Sequence, residues 1–66
     1  MNSLEKLIIK NWNKEHPELY LVYESRYYYK EGKDRLLSIL RVRRIDNKEL
    51  VTEVQGESFI DCYDQL

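Results

Sequence analysis

The chain has 66 residues, 42% hydrophobic and 35% charged, and its 11 basic and 12 acidic side chains leave a net charge of −1. That length makes one domain near the lower limit for folding on its own core, and the composition excludes a disordered chain. The balanced, interspersed charge excludes a general polyanion binder, whose footprint is a strong basic excess.

Cys62 is the one cysteine, so no intramolecular disulfide can form. Cys62 and His16 together fall short of the about four ligands that a structural zinc needs, and no other cofactor signature is present. Of the devices that support small domains, oligomerisation remains. No apolar run approaches the roughly 20 residues of a membrane span. The segment Met1–Lys6 lacks the basic region and long apolar stretch of a secretion signal. A lone thiol suits a reducing compartment, and the cytoplasm is the expected location.

In chain order, Asn2-Ser3-Leu4-Glu5 fits a capping box, in which Asn2 caps a helix and Glu5 reaches back. Leu4, Ile8 and Trp12 recur at helical spacing with Leu7 beside them, and Lys6, Lys10, Asn13 and Lys14 take the opposite side. Pro17 disfavours helix at His16, so the helix is expected to stop near Glu15.

From Leu19 to Lys30 the period changes to two. Leu19, Leu21, Tyr23, Ser25, Tyr27 and Tyr29 share one face, and Tyr20, Val22, Glu24, Arg26, Tyr28 and Lys30 share the other. Gly32 supplies the turn. Leu36 to Ile45 is expected as a second strand and Glu49 to Gln55 as a third, joined by a three-residue loop, Asp46-Asn47-Lys48.

Burial selects the register. Pairing Lys30 with Lys33 sets Tyr27 against Leu36, Tyr23 against Leu40 and Leu21 against Val42, which builds one continuous apolar face. A one-residue slip would mix charge into it. The third strand then adds Leu50, Thr52 and Val54 to that face and turns Glu53 and Gln55 away. Beyond Gly56, Ser58 can cap a short helix on which Phe59, Cys62 or Tyr63, and Leu66 fall at helical spacing.

The expected fold is thus a single α+β domain over residues 1–66. Its order is α-β-β-β-α, a three-stranded antiparallel meander with an N-terminal helix on one face and a short C-terminal helix. Leu4, Ile8, Trp12, Leu21, Tyr23, Leu40, Val42 and Val54 form the expected core. The order of elements is similar to that of double-stranded-RNA-binding domains. The resemblance is one of topology, because the lysine-rich start of their second helix is matched here by Gly56-Glu57-Ser58-Phe59-Ile60-Asp61, which is acidic and repels phosphate.

No catalytic motif stands out, and the chain is expected to be non-enzymatic. His16 ends a helix, where imidazolium is favoured and a structural cap is the simple role. Cys62 has Asp61 and Asp64 nearby, which disfavour a thiolate.

The second sheet face carries the functional expectation. Tyr20, Val22, Arg26, Tyr28, Leu37, Ile39, Arg41 and Arg43 combine the Tyr and Arg of binding hot spots with an apolar strip. They are the candidate residues for binding another protein or a second copy. The plain alternative is a solvated face of Tyr stacked on Arg, with Glu24 and Glu53 as ion-pair partners. A single-stranded nucleic-acid platform on the same face is the other functional reading, since bases stack on aromatics while cations track the backbone. A homodimer is expected, with the long first strand, free of proline after Pro17, as the favoured docking edge. The packing of two second faces across a two-fold axis, covering Val22, Leu37 and Ile39, is the other route. Small chains without catalytic motifs are similar in kind to accessory proteins of phages and other mobile elements, which occlude a host protein. That last step is an analogy.

Overall fold

The computed structural model describes residues 2–66. Helix α1 (Ser3–Glu15) is followed by strands β1 (Leu19–Lys30), β2 (Lys33–Arg44) and β3 (Leu50–Gly56), and then by helix α2 (Phe59–Asp64). The strands form one antiparallel sheet in the order β1-β2-β3, which is the expected α+β meander.

The capping box at the start of α1 is complete. Glu5 N–H donates to Asn2 Oδ1 at 2.8 Å, and Asn2 N–H donates to Glu5 Oε2 at 3.2 Å. These bonds satisfy two backbone donors that the first helical turn would otherwise leave open. The helix ends at Glu15, and His16 serves as its C-cap. The imidazole stacks on Trp12 with centroids 3.9 Å apart, and its Nδ1–H donates to the Trp12 carbonyl at 2.8 Å.

The β1–β2 register is the expected one, from Lys30 opposite Lys33 through Tyr27–Leu36 and Tyr23–Leu40 to Leu21–Val42. Glu31 and Gly32 both have positive φ, 53° and 75°, the signature of a two-residue type I′ turn. That turn carries the ladder past Leu36 to Lys33, so β2 begins three residues earlier than the sequence pattern suggested.

The second connection differs from expectation. Strand β2 stops at Arg44, whose N–H donates to the Glu49 carbonyl at 2.9 Å. The four residues Ile45 to Lys48 therefore make the loop, and Lys48 N–H closes it onto the Arg44 carbonyl at 2.9 Å. Lys48 takes φ 61° there. A four-residue loop alone would turn Glu53 toward the core. A bulge between Val42 and Arg43 absorbs the extra residue, so Thr52 still faces Val42 and Val54 still faces Leu40. Leu50, expected in the core, is opposite Arg43 and exposed.

Both helices pack on the first face. Leu21, Leu40, Val42, Phe59 and Cys62 form the buried cluster, with Ile8, Ile9, Trp12, Leu19, Tyr23, Val54 and Tyr63 packed around it. Ser58 caps α2 by accepting the Asp61 N–H at 3.1 Å. Gly56 lets α2 approach, because a Cβ there would lie 2.9 Å from Asp61 Cβ. Cys62 Sγ–H donates to the Ser38 carbonyl at 3.2 Å, and burial, followed by the charge of Asp61, pushes the thiol pKa up.

Helix α1 is rotated from the expected orientation. Ile8, Ile9, Trp12 and Asn13 face the sheet, whereas Leu4 is 63% exposed and Leu7 is exposed beside it. Asn13, expected on the outer side, accepts the backbone N–H of Leu21 through Oδ1 at 2.9 Å. The rotation satisfies an edge-strand donor that no strand pairs with.

Candidate protein-docking surface

The second face is centred on an ion-pair network that crosses all three strands. Arg26 donates to both oxygens of Glu24, Nε at 3.0 Å and Nη2 at 3.3 Å. Arg41 reaches Glu24 Oε2 through Nη1 at 2.8 Å and Glu53 Oε1 through Nε at 2.7 Å. These residues alternate outward on their strands and lie close in the pairing register, Val22 opposite Arg41 and Arg41 opposite Glu53. The Arg41 bond, then that of Arg26, holds the Glu24 carboxyl below the usual carboxylate range, while Glu24 and then Glu53 raise the pKa of Arg41.

Ile39 lies among these long side chains and is only 3% exposed. It was expected as an open member of the apolar strip, and the structure corrects that. With both helices on the opposite face, neighbouring side chains must cover it. Glu24 and Gln55 are its strand partners, and Leu37 and Arg41 flank it on its own strand. Long charged side chains shelter apolar groups beneath their stems in this way. Tyr20, Val22, Leu37, Arg41 and Arg43 are half-buried, while Arg26 and Tyr28 are exposed. Arg43 donates from Nη1 to the Lys48 carbonyl at 3.0 Å, and Arg44 pairs with Asp46 at 3.2 Å. The ion pairs of the plain reading are therefore present. The aromatic contacts among the described residues, Trp12–His16, Tyr23–Phe59 and Phe59–Tyr63, all lie away from this face.

The open surface is elsewhere. Strand β3 ends opposite Ser38, which pairs with Ser25 on β1. Beyond that point Arg26–Lys30 and Lys33–Leu37 continue as a two-stranded arm about 17 Å long at the usual strand rise. Tyr27 and Tyr29, expected on a continuous core face, are 79% and 75% exposed, and Tyr28 is exposed on the other side. The molecule measures 43 × 25 × 17 Å with a radius of gyration of 13.0 Å, against about 11 Å for a compact chain of this length. Its surface of 5043 Å² exceeds the about 4,500 Å² expected for its mass. An isolated two-stranded hairpin is marginal in water, so an aromatic arm of this kind gains from being covered.

Among the described residues, no group of three or more His, Cys, Asp or Glu gathers as a metal site, and no helix is long and apolar enough to cross a membrane. The groove between the helices is lined by Trp12, Leu19, Val54, Tyr63 and Leu66, with His16 at its edge. The His16 Nδ1–H is already committed to the Trp12 carbonyl. No family model, no curated protein and no solved structure matches this chain.

Proposed function

We propose that the chain is a small non-enzymatic protein-binding module that docks through its hairpin arm and the adjoining Tyr/Arg side of the sheet. The supporting observation is the arm itself, three consecutive tyrosines carried beyond the reach of either helix and of β3. Tyr supplies large amphipathic contact area at low entropic cost, which suits an interface. Arg26, Tyr28 and Leu37 are the arm's own second-face residues, and the outer part of Arg41 adjoins them and extends the same surface. Ile39 supports this surface from below. A cytoplasmic location fits the lone buried thiol. Occlusion of a host protein by a phage-type accessory remains an extension by analogy of size.

The nucleic-acid reading is the weaker one. Arg26 and Arg41 are committed to Glu24 and Glu53, and Arg44 to Asp46, so phosphate would have to displace existing partners. Absence of binding to single-stranded DNA or RNA at low salt removes that reading, since counterion release should make such binding strongest there. The protein-binding proposal is tested by capture from a native lysate, comparing the natural chain with a Tyr27→Ser/Tyr29→Ser variant. A specific partner lost on this double substitution supports it. Equal capture by both chains would show that the arm is not the docking element.

A further inference from the structure

From this docking reading we infer that the arm pairs with a second copy of the chain, β1 against β1, with Tyr27 on the two-fold axis. The backbone geometry sets the conditions. Lys30 and Lys33 flank a two-residue turn and form a hydrogen-bonded pair, so the even-numbered residues of β1 point their N–H and C=O groups at β2. The odd-numbered residues point theirs at the open edge. At the start of the strand that edge is already used: Leu19 N–H donates to the His16 carbonyl, and Leu21 N–H to Asn13. Helix α1 thus stops an incoming strand below Tyr23, and the free stretch is Glu24–Lys30, whose midpoint is Tyr27. The other edge of the arm is shorter, since β3 occupies β2 as far as Ser38.

Charge selects the same centre. Outward groups must meet outward groups, so odd positions pair with odd ones. A two-fold axis at Arg26 would set that residue against its own copy, and one at Tyr28 would set Arg26 against Lys30. An axis at Tyr27 sets Glu24 against Lys30 of the second copy, Arg26 against Tyr28, and Tyr27 against itself. Opposite charges and aromatic–cation pairs then fall at every second-face position of the paired stretch, and Tyr27 meets its copy on the first face. The result is a continuous six-stranded sheet with an isologous interface.

The helix supplies an independent reason. From Asn13 back to Leu4, α1 rises about 14 Å, the length of about four strand residues. Lys6, Ile9, Lys10 and Asn13 line one groove with Leu21, Val22 and Tyr23, so α1 runs back along β1. Its first turn carries Leu4 toward Ser25, opposite which the pairing places Tyr29 of the second copy. Leu4, Leu7 and Tyr29 are all exposed in the single chain, and the pairing brings them together.

Sedimentation of the full chain across the micromolar range tests the pairing. Dimers should form, and Tyr27→Pro should abolish them. Pro there removes only an outward N–H, so the circular dichroism of the dilute chain should be retained. Lys30→Glu, a surface change that does not threaten folding, should weaken association about tenfold because two symmetric contacts become repulsive. For the register, mixing Arg26→Cys and Tyr28→Cys chains under mild oxidation should give mainly the mixed disulfide, since those positions face each other about 4.5 Å apart between Cα atoms. A strict monomer at high concentration, indifference to Lys30→Glu, or self-linking of Arg26→Cys in preference to the mixed pair would each overturn the inference. A monomer that still loses a captured partner on the Tyr27→Ser/Tyr29→Ser substitution would overturn this pairing alone and leave the docking reading standing.

Discussion

Asn13 on α1 holds the backbone N–H of Leu21 on β1, Oδ1 to N at 2.9 Å. One side chain thereby anchors the first helix to the sheet and occupies the outer edge of the first strand. An edge donor left unpaired invites another strand, so this contact both stabilises the fold and limits where the edge is available.

Asn13→Ala leaves that partly buried N–H without its acceptor, and about 1 kcal/mol of stability should be lost. The melting temperature should fall by about 4–8 °C, the shift expected per kcal/mol in a domain of this size. Asn13→Asp keeps an acceptor and should lose less. Equal losses in the two variants would mean that packing, and not this bond, holds α1.

The turn at Glu31-Gly32 makes the opposite prediction. Glu31 has φ 53°, a left-handed conformation that costs a side chain about 1–2 kcal/mol relative to glycine. Asn tolerates it and is favoured at the first position of a type I′ turn. Glu31→Asn should therefore stabilise the chain by about 0.5–1 kcal/mol in urea unfolding. Lys48→Gly should act in the same direction at φ 61°.

These cases also mark what the residues disclosed. The alternation of β1 and the turn at Gly32 allowed only one register for the first hairpin, because any slip would bury charge. The bulge at Val42/Arg43 leaves no trace in periodicity, since the extra loop residue is absorbed locally and Thr52 and Val54 keep their faces. Rotation of α1 was hidden because Leu4 and Leu7 look as inward as Ile8 and Ile9 by composition, and Asn13 looks outward. Exposure of Tyr27 and Tyr29 had a readable signal that alternation alone obscures. A 13-residue helix spans about 20 Å, while a 12-residue strand spans about 40 Å. The distal half of β1 therefore had nothing to cover it. Ile39 was misplaced for the converse reason, that neighbouring long side chains enclose it without any helix.

Gly56 tests the seat of α2. A Cβ there meets Asp61 Cβ at 2.9 Å and Cys62 N at 3.4 Å, so Gly56→Ala must push the helix off its strand. About 1–3 kcal/mol should be lost, the usual cost of overpacking. The Cys62 thiol should then react faster with a thiol reagent than in the natural chain, where it is fully buried. Unchanged reactivity would show that α2 accommodates the methyl without moving.

Leu40 and Ile39 are buried on opposite faces, and each should report on its own cover. Leu40→Ala should cost about 2–5 kcal/mol, which in so small a domain approaches the whole stability. Ile39→Val should cost about 0.5–1.5 kcal/mol. Ile39→Glu places a charge beneath the Glu24–Arg41 network and should unfold the chain. If Ile39→Glu instead gives a folded monomer of natural melting temperature, the burial of Ile39 is wrong.

The ion-pair network predicts an acid limb in stability. Arg41 first, then Arg26, lowers the pKa of Glu24 from its ordinary 4.5, and Arg44 lowers that of Asp46 from 3.8. A carboxyl with a depressed folded pKa contributes stability above its unfolded value and loses it as the pH falls through the folded value. Urea midpoints should therefore be flat from neutral pH down to about 4.5 and decline below it. Salt should reduce the contribution, most for the exposed Arg26–Glu24 and Arg44–Asp46 pairs and less for the half-buried Arg41 pairs. Glu24→Gln removes the central titrating group, so its acid limb should be shallower even if its stability at neutral pH is lower. An acid limb identical to that of the natural chain would mean that Glu24 is solvated as an ordinary surface carboxylate and that Arg41 pairs with Glu53 alone.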